Sequence, residues 1–235
     1  MRILIKNGHL IDPGNKIDGK YNLLVEDGRI SKLTKDSIET DAEIKVFDAE
    51  GKYILPGFVD LHVHFREPGF EYKETIKTGS LAAAAGGFTT VCMMPNTKPA
   101  LDTPEMIDAS YDKAKKEAVI KVLPIGAITK GQNGKELVDI KGMAEHGAVA
   151  ISEDGKSVMA SDLAYEALMR AKEVNMPVFA HCEDITLVKG GVMNKGKRAE
   201  ELGLPGISNA VEEIIEARDV LLAGDTGAQL HLCHC

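Results

Sequence analysis

The sequence contains no tryptophan, and all aromatic residues together make up only 5% of its 235 residues. A core must therefore be built from aliphatic side chains and alanine, for which a hydrophobic content of 44% is sufficient. No run of about 18 apolar residues is present, so no membrane-spanning segment is expected. Residues 1–10 enter an alternating strand pattern without the apolar run of a signal peptide, which predicts a cytoplasmic protein.

Basic patches and paired cysteines are also absent. The net charge is −8 at pH 7, and the densest basic group, Lys113, Lys115 and Lys116, is typical of the solvated face of a helix. A nucleic-acid partner is therefore not expected, because it would need a basic surface. The four cysteines form no C-x-x-C pair, which indicates reduced thiols.

Residues 1–55 are predicted to be the N-terminal part of a small β domain. Residues 2–10 alternate in the manner of a strand, and two short apolar runs are joined through Glu26-Asp27-Gly28, a strong hairpin signal. Further short strands follow up to Leu55. This segment is too short to bury a large core alone, and we expect it to be part of a β-sandwich.

Residues 56–235 alternate between strands and helices. Six apolar strands are predicted at 57–64, 89–95, 120–128, 148–152, 177–181 and 229–234. Helices are predicted between them, over 75–85, 103–118 and 136–146 and in segments that open at Ser161 and Ser208. Strands buried on both faces and separated by helices indicate a parallel sheet with helical cover, as in an α/β protein.

Two architectures fit this alternation, a doubly wound open sheet and a (β/α)8 barrel. The G-x-G-x-x-G turn of a dinucleotide-binding sheet is missing after the first strand. Polar or metal-binding side chains instead follow nearly every strand: His62, His64, Asn96, Asp154, His181 and His234. Barrels carry their chemistry at that face, from several strands. We therefore predict a (β/α)8 metal-dependent hydrolase barrel.

His62 and His64 are separated by one residue, and alternate residues of a strand point to the same side. Both imidazoles can therefore reach one metal ion at the barrel mouth. Asp154, His181 and His234 follow three other strands and are further candidate ligands. Four imidazoles and a carboxylate suit zinc, with cobalt or manganese as substitutes. Because this set is too large for one tetrahedral ion, we expect two ions.

Five motifs lie in order along the chain. They are Asp60-Leu61-His62-Val63-His64-Phe65-Arg66-Glu67-Pro68-Gly69, Met94-Pro95-Asn96-Thr97, Ser152-Glu153-Asp154-Gly155, Ala180-His181-Cys182-Glu183 and Leu230-His231-Leu232-Cys233-His234. Together they resemble the bacterial long-chain type of the dihydroorotase family, within the amidohydrolase superfamily. The resemblance covers the whole chain, including the small β domain.

The resemblance implies roles for single residues. His62 and His64 match the ligands of a first metal, His181 and His234 match those of a second, and Asp154 matches a bridging carboxylate. His64, Arg66 and Asn96 match substrate-contacting positions, the last two through the substrate's carboxylate, and a guanidinium fork suits that role.

The implied reaction is the reversible hydrolysis of dihydroorotate to N-carbamoyl-L-aspartate, a step of pyrimidine synthesis. The proton-transferring aspartate of the family lies on the eighth strand, and this chain ends at Cys235, after the sixth. We therefore expect a truncated barrel with no catalytic proton shuttle of its own, inactive when isolated. The named function would belong to the complete protein.

Some residues have a second interpretation. Glu153 competes with Asp154 as the ligand, and Asp154 is favoured by the family pattern. Three thiols next to ligand histidines could bind metal, although packing inside the barrel is the favoured role: Cys182, Cys233 and Cys235. His231 is expected in the interior, and Glu183 is expected to point towards the loop.

Two rival functions stay open. An allantoinase or hydantoinase would share fold, metals and reaction class, but Arg66 and Asn96 favour a substrate that carries a carboxylate. A non-catalytic homologue could serve as a partner of aspartate transcarbamoylase, but such proteins typically lose metal ligands. We expect a small-molecule substrate and a homodimer.

Overall fold

The computed structural model describes residues 1–235, which divide into two compact units, Met1–Gly57 and Phe58–Cys235. The boundary expected from the sequence lies at residues 55 and 56. None of the helices combines the length and the apolar character that crossing a membrane requires.

The first unit is a single mixed sheet. Its five strands are β1 (Arg2–Asp12), β2 (Ile17–Glu26), β3 (Arg29–Thr34), β4 (Ile44–Asp48) and β5 (Tyr53–Ile54). The order is β3-β2-β1-β4, with β5 also paired to β1. The predicted hairpin is confirmed between β2 and β3, where Asp27 (φ 49°) and Gly28 (φ 78°) adopt the left-handed backbone of a tight two-residue turn.

Residues 1–57 contain one sheet, and the β-sandwich of which this segment is expected to be a part stays a prediction. The long strand β1 pairs antiparallel with β2 and parallel with both β4 and β5, so all five strands join one sheet. A small apolar cluster of Leu4, Leu24 and Ile44 forms on this sheet. β3 joins the same sheet through β2, so residues 1–57 form one sheet.

The second unit contains nine strands and seven helices. The strands are β6 (Phe58–Val63), β7 (Phe88–Met93), β8 (Lys121–Pro124), β9 (Gly126–Ala127), β10 (Ile151–Ser152), β11 (Val178–Ala180), β12 (Met193–Asn194), β13 (Gly206–Ile207) and β14 (Leu230–Leu232). The helices are α1 (Ile76–Ala85), α2 (Pro104–Glu117), α3 (Ile140–Glu145), α4 (Ser161–Glu173), α5 (Ile185–Val188), α6 (Lys197–Leu202) and α7 (Ala210–Thr226).

The predicted parallel arrangement is confirmed. Strands β6, β7 and β8 pair in parallel, as do β9, β10, β11 and β14. The third predicted strand is divided into β8 and β9 at Ile125. There the backbone changes partner, because Ile125 N donates to Met93 O (2.9 Å) and Gly126 N donates to Ala150 O (3.0 Å). The strands therefore follow one another in sequence order across the sheet.

Both faces of the central strands are buried, whereas the first strand, β6, is largely exposed. Val91 and Met93 of β7 belong to the larger core cluster, which also contains helical residues such as Ile107 and Leu168. The alternate residues Cys92 and Met94 belong to a second cluster, together with Ile125, Ala150, Phe179 and Cys233. Since successive strand residues point to opposite sides, the two clusters lie on opposite faces. This agrees with the continuous apolar strands read from the sequence.

Two segments differ from the sequence-based expectation. The helix predicted over 136–146 begins only at Ile140, because Asp139 accepts a hydrogen bond from Gly142 N as its N-cap and Leu137 forms a β-bridge with Thr129. Between β11 and α7, the structure adds elements that the sequence analysis did not identify, the short helices α5 and α6 and the parallel pair β12–β13. The other differences at element ends are a few residues.

Candidate metal centre

The first two candidate ligands come from one strand. His62 lies in β6 and His64 follows its last residue, and their Nε2 atoms are 3.2 Å apart. The sequence argument from alternate residues therefore describes their placement correctly. Both rings are partly buried, with side-chain exposures of 19% and 34%.

A single carboxylate meets all four histidines. Asp154 follows β10 and is buried, with 4% of its surface exposed. Its Oδ1 lies 3.2 Å from His62 Nε2, 3.7 Å from His181 Nδ1 and 3.6 Å from His234 Nε2. Its Oδ2 lies 3.7 Å from His64 Nε2. The structure thus brings all five predicted ligands together at the carboxyl ends of four strands.

These ligand atoms form two groups that share Asp154. One contains His62, His64 and Asp154, and the other contains Asp154, His181 and His234, each with its atoms within 4.8 Å of one another. Ligands at about 2.0–2.1 Å from one tetrahedral zinc ion stand roughly 3.3 Å apart. The distances of 3.2 Å between His62 and His64 and 3.1 Å between His181 and His234 fit that spacing.

A hydrogen bond to the outer nitrogen of His64 favours a cation between His64 and His62. Asn96 Nδ2 donates to Asp154 Oδ2 (2.6 Å), so its Oδ1 faces His64 Nδ1 (3.1 Å) as an acceptor. His64 then carries its proton on Nδ1 and directs the lone pair of Nε2 towards His62. The nitrogen of His62 that faces this lone pair at 3.2 Å needs a proton or a metal ion to relieve repulsion.

The electrostatics favour an ionised Asp154 and a neutral His64. Burial opposes the ionisation of Asp154, but the hydrogen bond from His62 and the charges of the neighbouring histidines hold the pKa of Asp154 below its ordinary value. Burial lowers the pKa of His64, which favours the neutral imidazole. Metal ions bind carboxylates and neutral imidazoles.

Glu153, the alternative to Asp154, belongs to neither group. Its buried carboxylate accepts hydrogen bonds from the backbone N–H groups of Ile128 (3.2 Å) and Thr129 (3.0 Å) and from the Thr129 hydroxyl. These contacts tie the loop that carries Asp154 to the end of the third strand. Burial raises the pKa of Glu153.

Of the three predicted substrate-contacting residues, His64 belongs to the first group and the other two lie near it in the chain or in space. Asn96 spans His64 and Asp154, and Arg66 follows His64 by two residues in left-handed backbone (φ 53°). The Arg66 side chain is half-buried and forms no ion pair in the structure. Its guanidinium therefore remains available for an anionic group of a ligand.

Glu183 differs from the sequence-based expectation. It was expected to point towards the loop, but its Oε2 lies 3.2 Å from His181 Nε2. The two-residue separation from His181, after the end of β11, is the only sequence signal for this contact. His231 is partly buried against the Phe179 ring, with ring centroids 4.6 Å apart, and belongs to neither ligand group.

The thiols beside the histidines also lie outside both groups. Cys182 and Cys233 are buried, and burial raises the pKa of each thiol to about 12. Cys233 packs with Met94 and Phe179, and Cys182 packs with Ile215, which agrees with the packing role favoured from the sequence. Cys235 is exposed and lies near Glu212 and Glu216.

Comparison with known proteins agrees with this fold and these motifs. The L-hydantoinase (dihydropyrimidinase) of Arthrobacter aurescens superposes with a TM-score of 0.82 over 99% of this chain and 52% of its own, at 22% identity. This likeness defines the class of the fold, an α/β fold shared with the hydantoinases.

Sequence comparison narrows the class to one family. The family described as Dihydro-orotase-like matches residues 51–235. Dihydroorotases of Staphylococcus epidermidis and Ligilactobacillus salivarius are each 48% identical to the chain, over 98% and 100% of it and 54% of their own length. The chain belongs to the dihydroorotase-like family. It spans about half the length of the curated relatives it matches.

The zinc content of variants tests whether the thiols of Cys182 and Cys233 are metal ligands. We expect Cys182→Ala and Cys233→Ala to bind as much added zinc as the unmodified protein, because neither sulfur belongs to a histidine ligand group. His181→Ala should bind less, because it removes a member of the group Asp154, His181 and His234. Zinc per chain is measured by atomic absorption after removal of free metal. Loss of zinc in either cysteine variant would show that a thiol is a ligand.

Proposed function

We propose that this chain is the metal-binding part of a dihydroorotase, which hydrolyses dihydroorotate reversibly to N-carbamoyl-L-aspartate in pyrimidine synthesis. The observation that carries the proposal is the pair of ligand groups that share Asp154. The names of its relatives, at 48% identity, supply the substrate.

The order and direction of the strands support a barrel as the domain that carries this metal site. We propose that β6, β7, β8 with β9, β10, β11 and β14, which are parallel and in sequence order, are the first six strands of a (β/α)8 barrel; the separate pair β12–β13 is not counted among them. Residues 56–235 would then be the catalytic domain, incomplete after its sixth strand, and residues 1–55 would be part of the accompanying β domain. Ligands at the carboxyl ends of the strands agree with the position of barrel active sites.

We propose zinc as the ion, with one ion in each group. When bound, a pair of such ions lowers the pKa of water towards about 7 and polarises a carbonyl oxygen. His62 and His64 would hold the first ion, His181 and His234 the second, and Asp154 both. Asp154 is therefore fully engaged and is not free to move protons during the reaction.

The reaction adds water to a ring carbonyl carbon and breaks its bond to the ring nitrogen, which must take up a proton. Among the residues of the ligand groups, none is free to carry that proton. We propose that a residue of a later strand does so, as the family resemblance implies. Loss of a general acid–base costs about 10²–10⁴ in rate, so the 235-residue chain alone should be inactive.

Arg66 is the residue we assign to the carboxylate of dihydroorotate. Its guanidinium has no protein partner, and a planar fork with two parallel donors matches a carboxylate. Asn96 is proposed as a second contact, although its amide also bridges His64 and Asp154. Substitution of Asn96 should therefore weaken both substrate binding and metal binding, whereas substitution of Arg66 should weaken substrate binding alone.

A hydantoinase is the second candidate, and the likeness to the Arthrobacter aurescens L-hydantoinase favours it. That likeness concerns the fold at 22% identity, whereas relatives at 48% identity are dihydroorotases. The retention and convergence of all five ligands argue against a non-catalytic homologue. A homodimer, an association with aspartate transcarbamoylase and a cytoplasmic location stay predictions.

Ring opening of dihydroorotate by the full-length protein tests the proposed function. We expect turnover that a chelator abolishes and zinc restores, and much weaker turnover of a 5-substituted hydantoin without a carboxylate. The 235-residue chain is assayed in parallel. Preference for the hydantoin, or activity that survives complete metal removal, would contradict the proposal.

Arg66→Lys tests the carboxylate contact. A point charge replaces the fork, and a charged hydrogen bond contributes about 1.5–3 kcal/mol, so kcat/KM for dihydroorotate should fall roughly 10- to 100-fold in the full-length protein. Zinc content should not change. Arg170→Lys, on the exposed surface of α4, is the matched control and should retain normal kinetics. Unchanged kinetics in Arg66→Lys would show that a residue other than Arg66 binds the substrate carboxylate.

A further inference from the structure

We propose that Glu183 is a positioning residue for the metal centre. Its carboxylate accepts a hydrogen bond from the Nε2–H of His181 and so fixes the tautomer in which Nδ1 carries no proton and directs its lone pair towards Asp154 and His234. This inference deepens the proposed function and rests on its second metal site.

The geometry of His181 carries the assignment. Nε2 lies 3.2 Å from Glu183 Oε2, while Nδ1 lies 3.1 Å from His234 Nε2 and 3.7 Å from Asp154 Oδ1. An ionised carboxylate can only accept a hydrogen bond, so Nε2 is the donor in this contact. A neutral imidazole carries one proton, and its other nitrogen then has a free lone pair. That lone pair points to the second ligand group.

The position of Glu183 is fixed by its neighbours. Ser157, in the loop that follows Asp154, accepts a hydrogen bond from Glu183 N (3.0 Å) and donates one to the carbonyl of His181. The next residue, Asp184, donates its N–H to Val211 O (2.7 Å). The turn that presents the Glu183 carboxylate is therefore held from two sides, by the loop of Asp154 and by the first turn of α7.

The four histidines differ in the hydrogen-bond partner of the ring nitrogen that faces away from the ligand group. His64 has Asn96 and His181 has Glu183 as the partner of the nitrogen that faces away from the ligand group. The corresponding atom of His62, Nδ1, is buried and has no hydrogen-bond partner. Each ligand group thus contains one histidine whose tautomer is set by a neighbouring side chain. Partners of this kind, when removed, typically cost 10- to 100-fold in metal affinity.

The experiment measures the tautomer and the metal affinity separately. In the metal-free full-length protein, labelled with ¹⁵N-histidine, long-range ¹H–¹⁵N spectra identify which nitrogen of His181 carries the proton. Competition with a chromophoric chelator gives the zinc affinity of each site. The variants are Glu183→Ala, Glu183→Gln, which retains an acceptor oxygen, and the control Glu173→Ala at the exposed end of α4.

We expect the Nε2–H form of His181 in the unmodified protein. Glu183→Ala should give a mixture of tautomers and a 10- to 100-fold loss of zinc affinity at one site only. Glu183→Gln should retain most of the Nε2–H tautomer and most of the zinc affinity. Glu173→Ala should change neither the tautomer nor the zinc affinity. The Nδ1–H form in the unmodified protein would overturn the proposal, even if Glu183→Ala failed to fold. An unchanged His181 tautomer together with an unchanged zinc affinity in Glu183→Ala would also overturn the proposal.

Failure of the proposed function would give a different result. An unmodified protein that binds no zinc, or only one ion, would overturn the two-metal proposal. The tautomer of His181 in the metal-free protein would still decide whether Glu183 sets it.

Discussion

The site depends on one buried carboxylate that four imidazoles approach from the ends of three strands. Asp154 can contact all of them only if the strands end at the same level and curve towards one point. An uncompensated charge at such a position would be costly, because burial penalises ionised groups. The surrounding histidines and Asn96 supply the compensation, and metal ions would supply more. Asp154 is held in place by the strand ends, by the neighbouring loops and by its hydrogen-bond partners.

The sheet provides this arrangement through two separate cores. One face packs against the helices, and alternate residues of the same strands fill the opposite face. The change of partner at Ile125 joins the two halves of the sheet, so that the loop after β10 lies beside the ends of β6 and β11. Glu153 and Ser157 then connect that loop to its two neighbours. A rigid loop is what a shared ligand requires.

Much of this was predictable from the sequence. The alternate histidines His62 and His64 follow from strand periodicity, which is a local property. The single ligands after later strands follow from the alternation of strands and helices, which predicts a parallel order. The single sheet of residues 1–57 was not predictable, since pairing to β1 is a long-range choice. The contacts of Asn96 and Glu183 with histidine nitrogens were also missed. They depend on side-chain directions in loops, which no periodicity describes.

Anomalous diffraction at the zinc edge from crystals of the full-length protein tests the central claim most directly. The account predicts two peaks about 3.5–4 Å apart, one on each side of Asp154. The first should lie within bonding distance of His62 and His64, and the second within bonding distance of His181 and His234. A single peak, or a pair that does not share Asp154, would contradict the account.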